Sequence, residues 1–105
     1  MTHDHFTAQV LEAETPVLVD FTAAWCPPCR VMDPIVAGID ADRDDLRVVK
    51  VDVDESIDLT ARLGVLSMPT FMVFDRGEPI LTLVGARPRR RLEAEIDAVL
   101  SGAAA

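Results

Sequence analysis

Cysteine is scarce in this sequence: two residues among 105. One pair cannot supply the two or more bridges that staple small secreted domains, so the chain is no disulfide scaffold. Two thiols are also too few for a closed zinc site, which takes four ligands. The only histidines, His3 and His5, lie in a polar N-terminal segment far along the chain from both cysteines, and no metal is expected. Basic residues are in short supply as well, 10 against 18 acidic ones, for a formal charge of −8 and a pI near 4.5. Such a surface repels phosphate backbones and anionic lipid, which argues against nucleic-acid and membrane partners. Proteins or small solutes are the partners left. Long apolar runs are missing: nothing approaches the roughly 20 residues of a membrane span. The opening "MTHDHFTAQVLEAE" has no apolar block behind a basic start, so it does not resemble a secretory leader. A soluble, cytoplasmic chain is the expectation, although a secreted form shorn of its leader would read the same.

What is present is apolar residue in quantity. Half the chain is hydrophobic, enough for one core, and its length fits one domain over residues 1–105. "HFTAQVLEA" puts Phe6, Val10 and Leu11 at helical spacing, with Pro16 as a stop. "VLVDF", residues 17–21, reads as a strand buried on both faces. "CRVMDPIVAGI" predicts a helix with Val31, Met32, Ile35, Val36 and Ile39 inward and a kink at Pro34. A polar loop "DADRDD", a strand alternating from Val49 and a short helix follow. Ser56 suits that helix's N-cap and Gly64 its C-terminal stop. "PTFMVFD" and "PILTLVG" are strands joined through "DRGE" as a hairpin. The last helix has Pro88 in its first turn and Leu92, Ile96, Val99 and Leu100 inward, and "SGAAA" should fray. The order α-β-α-β-α-β-β-α predicts an α/β fold: a mixed four-stranded sheet with helices on both faces. The helical connections allow the first and second strands, and the second and third, to run parallel.

Both cysteines and the only tryptophan sit in "AAWCPPCR", residues 23–30. The pair follows the buried strand and opens a helix. A thiol at a helix N-terminus meets the positive end of the dipole, which favours thiolate. Thiolate is the species that attacks disulfides. Cys29, one helical turn beyond Cys26, is placed to resolve a mixed disulfide. The plain alternative is two half-buried cysteines that only pack. A strand–C-x-x-C–helix setting favours dithiol exchange.

At this point the sequence resembles the thioredoxin family over nearly its whole length. "VLVDFTAAWCPPCR" is similar to that family's strand and W-C-G-P-C-[KR] site. "KVDVDE", "LGVLSMPTFMVFDRGE" and "LVGARP" resemble its next strand, its cis-proline loop with hairpin, and the glycine before its last helix. The resemblance implies a thiol–disulfide oxidoreductase that reduces protein disulfides. Cys26 would be the exposed nucleophile and Cys29 the buried resolving thiol. Trp25, Pro27 and Pro28 would shape the site. Asp20, a carboxylate in an apolar strand, would carry a raised pKa and exchange a proton with Cys29, and Lys50 would lie near it. Pro69 would carry the cis bond. Trp25, Gly64, Met68 and Gly85 would meet the substrate. No bound cofactor is implied, because the dithiol carries the electrons. The expected partners are an NADPH-dependent thioredoxin reductase and disulfide-containing proteins. The alternatives are a dedicated donor to one peroxidase or reductase, or a binding module on the same fold with incidental redox activity.

Two departures stand out. Pro27 replaces the family's usual glycine. Cys26 and Pro27 both precede prolines, so both should be extended, with the helix starting no earlier than about Pro28. Neither proline offers an N–H to Cys26, which leaves Cys29 as the nearest donor. The C-P-P-C tetrad also resembles that of tryparedoxins and nucleoredoxins, which are longer chains. The second departure is at the start, where the family's extra N-terminal strand is missing. The strand at Val49–Val53 would then be a sheet edge, with Lys50 and Asp52 discouraging pairing. A monomer is expected, edge-to-edge dimerisation being the alternative. "RPRRR", residues 87–91, reads as a solvated basic face, or else as a docking site for an acidic partner.

Overall fold

The computed structural model describes residues 1–102; the last three residues of "SGAAA", expected to fray, lie outside the described residues. Four strands form one sheet: β1 (Val17–Thr22), β2 (Arg47–Asp52), β3 (Thr70–Asp75) and β4 (Glu78–Val84), in the order β2-β1-β3-β4. The helices are α1 (His3–Phe6), continued as a π-helix over Thr7–Leu11, then α2 (Pro27–Asp42), α3 (Ile57–Arg62) and α4 (Arg89–Leu100). Among the described residues no helix is long and apolar enough to cross a membrane.

Strand alternation divides the interior in two. Val17, Val19 and Phe21 of β1 join Val49 and Val51 of β2 and the buried Phe6, Val10 and Leu59 on one face. Leu18 faces the other way, onto Met32, Val36 and Ile39 of α2 and Leu92 and Ile96 of α4. β1 is central and buried from Val17 to Phe21. That is why it reads as a nearly unbroken apolar run. β2 pairs with β1 in parallel, with Asp20 opposite Lys50. It lies at one edge of the sheet, as expected.

Several expectations need correcting. β3 runs antiparallel to β1, and therefore opposite to β2 rather than with it. The connection through α3 carries the chain past β1 to its far side, so β2 and β3 are not neighbours. α2 continues to Asp42, well into the stretch read as a loop, and Asp42 is paired there with Arg89 at 2.8 Å. Within it Val31 is 62% exposed, and Leu11 of the N-terminal segment is 37% exposed. Each adjoins a buried residue but is turned away by the helical rotation, which leaves Met32 and Val10 inside. Pro27 is the first residue of α2 rather than extended. The bias against helical geometry before a proline is a preference, and two consecutive prolines fit the first turn, where N–H groups lack partners. Pro34 lies inside α2, and the helix continues past it to Asp42.

The helix ends follow local rules. Gly64, at φ 72°, closes α3: its N–H donates to the Ala61 carbonyl and that of Val65 to Thr60, each at 3.1 Å. This is a Schellman motif. Ser56 occupies the N-cap of α3, but its side chain caps nothing there. Its hydroxyl donates to the Met1 carbonyl at 3.0 Å and accepts from the Met1 ammonium. Pro88 is the N-cap of α4, one position before the first turn. The β3–β4 hairpin turns on Arg76 and Gly77, both with positive φ, the pairing that a type I′ turn needs.

Candidate active site

Cys26 is the N-cap of α2, in an extended conformation at φ −98°. Cys29 follows in the first turn, and the two are joined as a disulfide, with Cα atoms 5.3 Å apart. The Cys29 amide donates to the Cys26 sulfur at 3.3 Å. Pro27 and Pro28 fill the first two positions of α2 and offer no N–H. A negative charge on the Cys26 sulfur would therefore meet the helix dipole and one amide in its own turn. Cys26 is not the exposed partner that was expected: it is 3% exposed and Cys29 1%. Both disulfide-bonded cysteines are buried, with the Met68 loop beside Cys26.

That loop supplies the opposite wall. The Met68–Pro69 peptide bond is cis, and the Met68 carbonyl oxygen lies 3.7 Å from the Cys26 sulfur. The Pro69 carbonyl accepts the Gly85 N–H at 2.9 Å. Met68, Pro69 and Gly85 are thus brought together with the dithiol. Gly85 has φ 99° and open space where a side chain would stand. Gly64 also has open space around it, but its own amide is committed to the end of α3. Trp25 is 62% exposed, and its indole N–H donates to Asp54 at 2.8 Å.

On the α2 side of the sheet, Asp20 is 1% exposed. Neither carboxylate oxygen has a hydrogen-bond partner among the described residues. Burial pushes its pKa up to about 6, against a smaller downward pull from Lys50 and with a further upward push from Asp33. Lys50 sits opposite Asp20 in register, yet its ammonium pairs with Asp33 on α2 at 3.3 Å.

Three site neighbours were not anticipated. Asp33 breaks the apolar stripe of α2 one turn after Cys29, a signal visible in the sequence. Asp54 holds the indole across a loop, and nothing local in the sequence foretells that. Arg30 donates to the Ala24 carbonyl from Nε at 3.2 Å and from Nη2 at 3.0 Å, tying the loop before Cys26 to α2. Three arginines of the basic run at 87–91 are paired within the chain. Arg87 pairs with Glu95 at 2.8 Å, Arg89 with Asp42 at 2.8 Å, and Arg91 with Glu95 at 3.3 Å. Glu95 on α4 thus serves both Arg87 and Arg91, and Asp42 on α2 serves Arg89.

A C-x-x-C disulfide between a central strand and a helix, on a four-stranded mixed sheet flanked by helices, defines a thiol–disulfide oxidoreductase. The thioredoxin family model matches residues 1–98, and the chain belongs to the thioredoxin family. It is 42% identical over 93 residues to the thioredoxin of Alicyclobacillus acidocaldarius subsp. acidocaldarius, covering 88% of this chain and 89% of that one. It is 42% identical over 98 residues to thioredoxin 1 of Synechococcus elongatus, covering 92% of each. With the chloroplastic M-type thioredoxin of Chlamydomonas reinhardtii it shares 40% over 99 residues, 93% of this chain and 71% of that protein. The redox-active pair makes this chain a protein-disulfide reductase.

Proposed function

We propose that the protein is a general carrier of reducing equivalents, which reduces disulfides of many proteins and is itself recycled by an NADPH-dependent thioredoxin reductase. The Cys26 thiolate attacks one sulfur of the target disulfide. A mixed disulfide forms and the other target sulfur leaves as a thiol. Cys29 then loses its proton to Asp20 and attacks the Cys26 sulfur. The carrier's own disulfide forms, the second target thiol departs, and two electrons have passed to the target. The reductase returns the pair to the dithiol.

The observation that carries this reading is the Cys29 amide pointing at the Cys26 sulfur at the N-cap of α2. That arrangement stabilises a thiolate at the attacking sulfur and holds the resolving sulfur within bonding reach. Asp20 supports its part as a buried carboxylate with no hydrogen-bond partner among the described residues and raised proton affinity. Trp25, Met68 and Gly85 frame the approach to Cys26, and a target segment would lie along the Met68 loop. A reducing compartment such as the cytoplasm suits a dithiol that must be kept reduced.

Insulin-disulfide reduction coupled to NADPH and a thioredoxin reductase tests the reading. Steady NADPH consumption is expected, with none from Cys26→Ser. Cys29→Ser should accumulate covalent target complexes, identifiable by mass spectrometry. Slow insulin reduction beside rapid turnover of one peroxidase would make it a dedicated donor. No reduction at all by the intact dithiol would make it a binding module.

A further inference from the structure

Asp20 and Lys50 face each other across the β1–β2 ladder, and strand alternation sends both side chains to the α2 side. Lys50 therefore has two carboxylates within its domain: Asp20 below and Asp33 above, on α2. It is paired with Asp33 at 3.3 Å, while both Asp20 oxygens are without a hydrogen bond among the described residues. The pair borders a cleft of about 360 Å³ whose lining includes Thr22, Arg30 and Asp52.

We infer that Asp33 is a positioning residue for the reduction: by holding the Lys50 ammonium on α2, it keeps Asp20 unpaired and able to take the proton of Cys29. The inference rests on the reading of Asp20 as proton acceptor and extends it to a residue that touches neither sulfur nor substrate. The charged and titratable groups around Asp20 can be named element by element. β2 presents Lys50 and, on the cleft lining, Asp52. α2 presents Asp33, Arg30 and, on reduction, the two thiols. β3 presents Phe71 in register, which carries no charge. Lys50 lies in register with Asp20 and has its ammonium on Asp33, so loss of Asp33 leaves Asp20 as a carboxylate it can turn to. The upward push of Asp33 and the downward pull of Lys50 on Asp20 agree with this. Removing Asp33 frees the ammonium to fold onto Asp20 and also removes a nearby negative charge. Both changes favour the ionised form of Asp20. A carboxylate with lower proton affinity is a weaker acceptor, so resolution by Cys29 slows.

The test follows the Asp20 carboxyl by carbon-detected NMR over a pH titration of the full chain. In Asp33→Asn the midpoint should fall by at least about 0.5 pH, and Asp33→Glu should restore it. In a Lys50→Gln background the same Asp33→Asn change should move the midpoint less than half as far. The kinetic readout is the release of thionitrobenzoate from its mixed disulfide with Cys26, driven by Cys29. At about pH 7, release should slow roughly two- to fivefold in Asp33→Asn and return with Asp33→Glu. An unmoved midpoint, or a shift of equal size without Lys50, overturns the positioning role whatever the kinetics. Asp20→Asn separates the two ideas. If it releases thionitrobenzoate as fast as the parent, the acceptor reading fails, while the midpoint still decides whether Asp33 directs Lys50.

Discussion

Asp20 costs the fold stability, and the sign of that cost can be worked out. Its pKa is raised from 3.8 to about 6 in the folded chain. The folded state therefore binds the proton more tightly than the unfolded state. Between those values stability falls as pH rises, and above about 6 the loss is complete. Asp20→Asn carries no ionisation, so its stability relative to the parent should rise by about 2–3 kcal/mol between about pH 4 and pH 8. Urea unfolding at the two pH values measures this, and equal differences at both would refute it. The acid was legible in the sequence because a carboxylate in "VLVDF" contradicts its surroundings. What could not be read was where Lys50 sends its charge. Its choice of Asp33 depends on α2 crossing β2, a relation between residues far apart in the chain. Trp25 and Asp54 are tied together by the same kind of long-range relation.

At the scale of elements, the start of α2 sets the redox balance. Pro27 stiffens the loop when the thiols are apart, so less entropy is lost on closing the disulfide. With Pro28 it leaves Cys29 as the amide donor to Cys26 within that turn. Both effects favour the disulfide and hence a lower potential. Pro27→Gly should raise the potential by about 10–20 mV. Equilibration with a glutathione or thiol–disulfide couple measures it, and a variant potential at or below the parent's would reject the argument. Spacing alone predicted most of α2 correctly: Met32, Val36 and Ile39 do face inward. It misassigned Val31 because adjacent apolar residues cannot share a narrow stripe. Spacing alone could not choose between them. The direction of β3 was missed for a related reason. A helical connection permits a parallel crossover but does not compel one, and strand order is decided by the sheet as a whole.

The whole molecule has β2 at one edge of its sheet. Arg47 and Lys50 are exposed along β2, and such charges oppose the pairing of two copies. Sedimentation velocity at micromolar concentration should therefore give a single species near 11.5 kDa. A species of twice that mass would indicate edge pairing. Elsewhere the acidic surplus is partly spent inside the chain. Arg43 joins Asp45 and Asp97, each at 2.8 Å, linking the end of α2 to α4. The composition announced a strongly acidic chain but not that Arg43 and Arg89 are used as struts between α2 and α4.

The near-complete burial of both sulfurs has a consequence for traffic through the site. Thiol–disulfide exchange proceeds by attack of a thiolate on a disulfide sulfur. In the oxidised carrier Cys26 is 3% exposed, with the Met68 carbonyl oxygen 3.7 Å from its sulfur. A donor that returns electrons is therefore expected to reach Cys26 with an extended segment rather than a flat face. Low exposure of the dithiol would then sort partners by the shape of the segment they can offer, before any charge or side-chain preference is consulted.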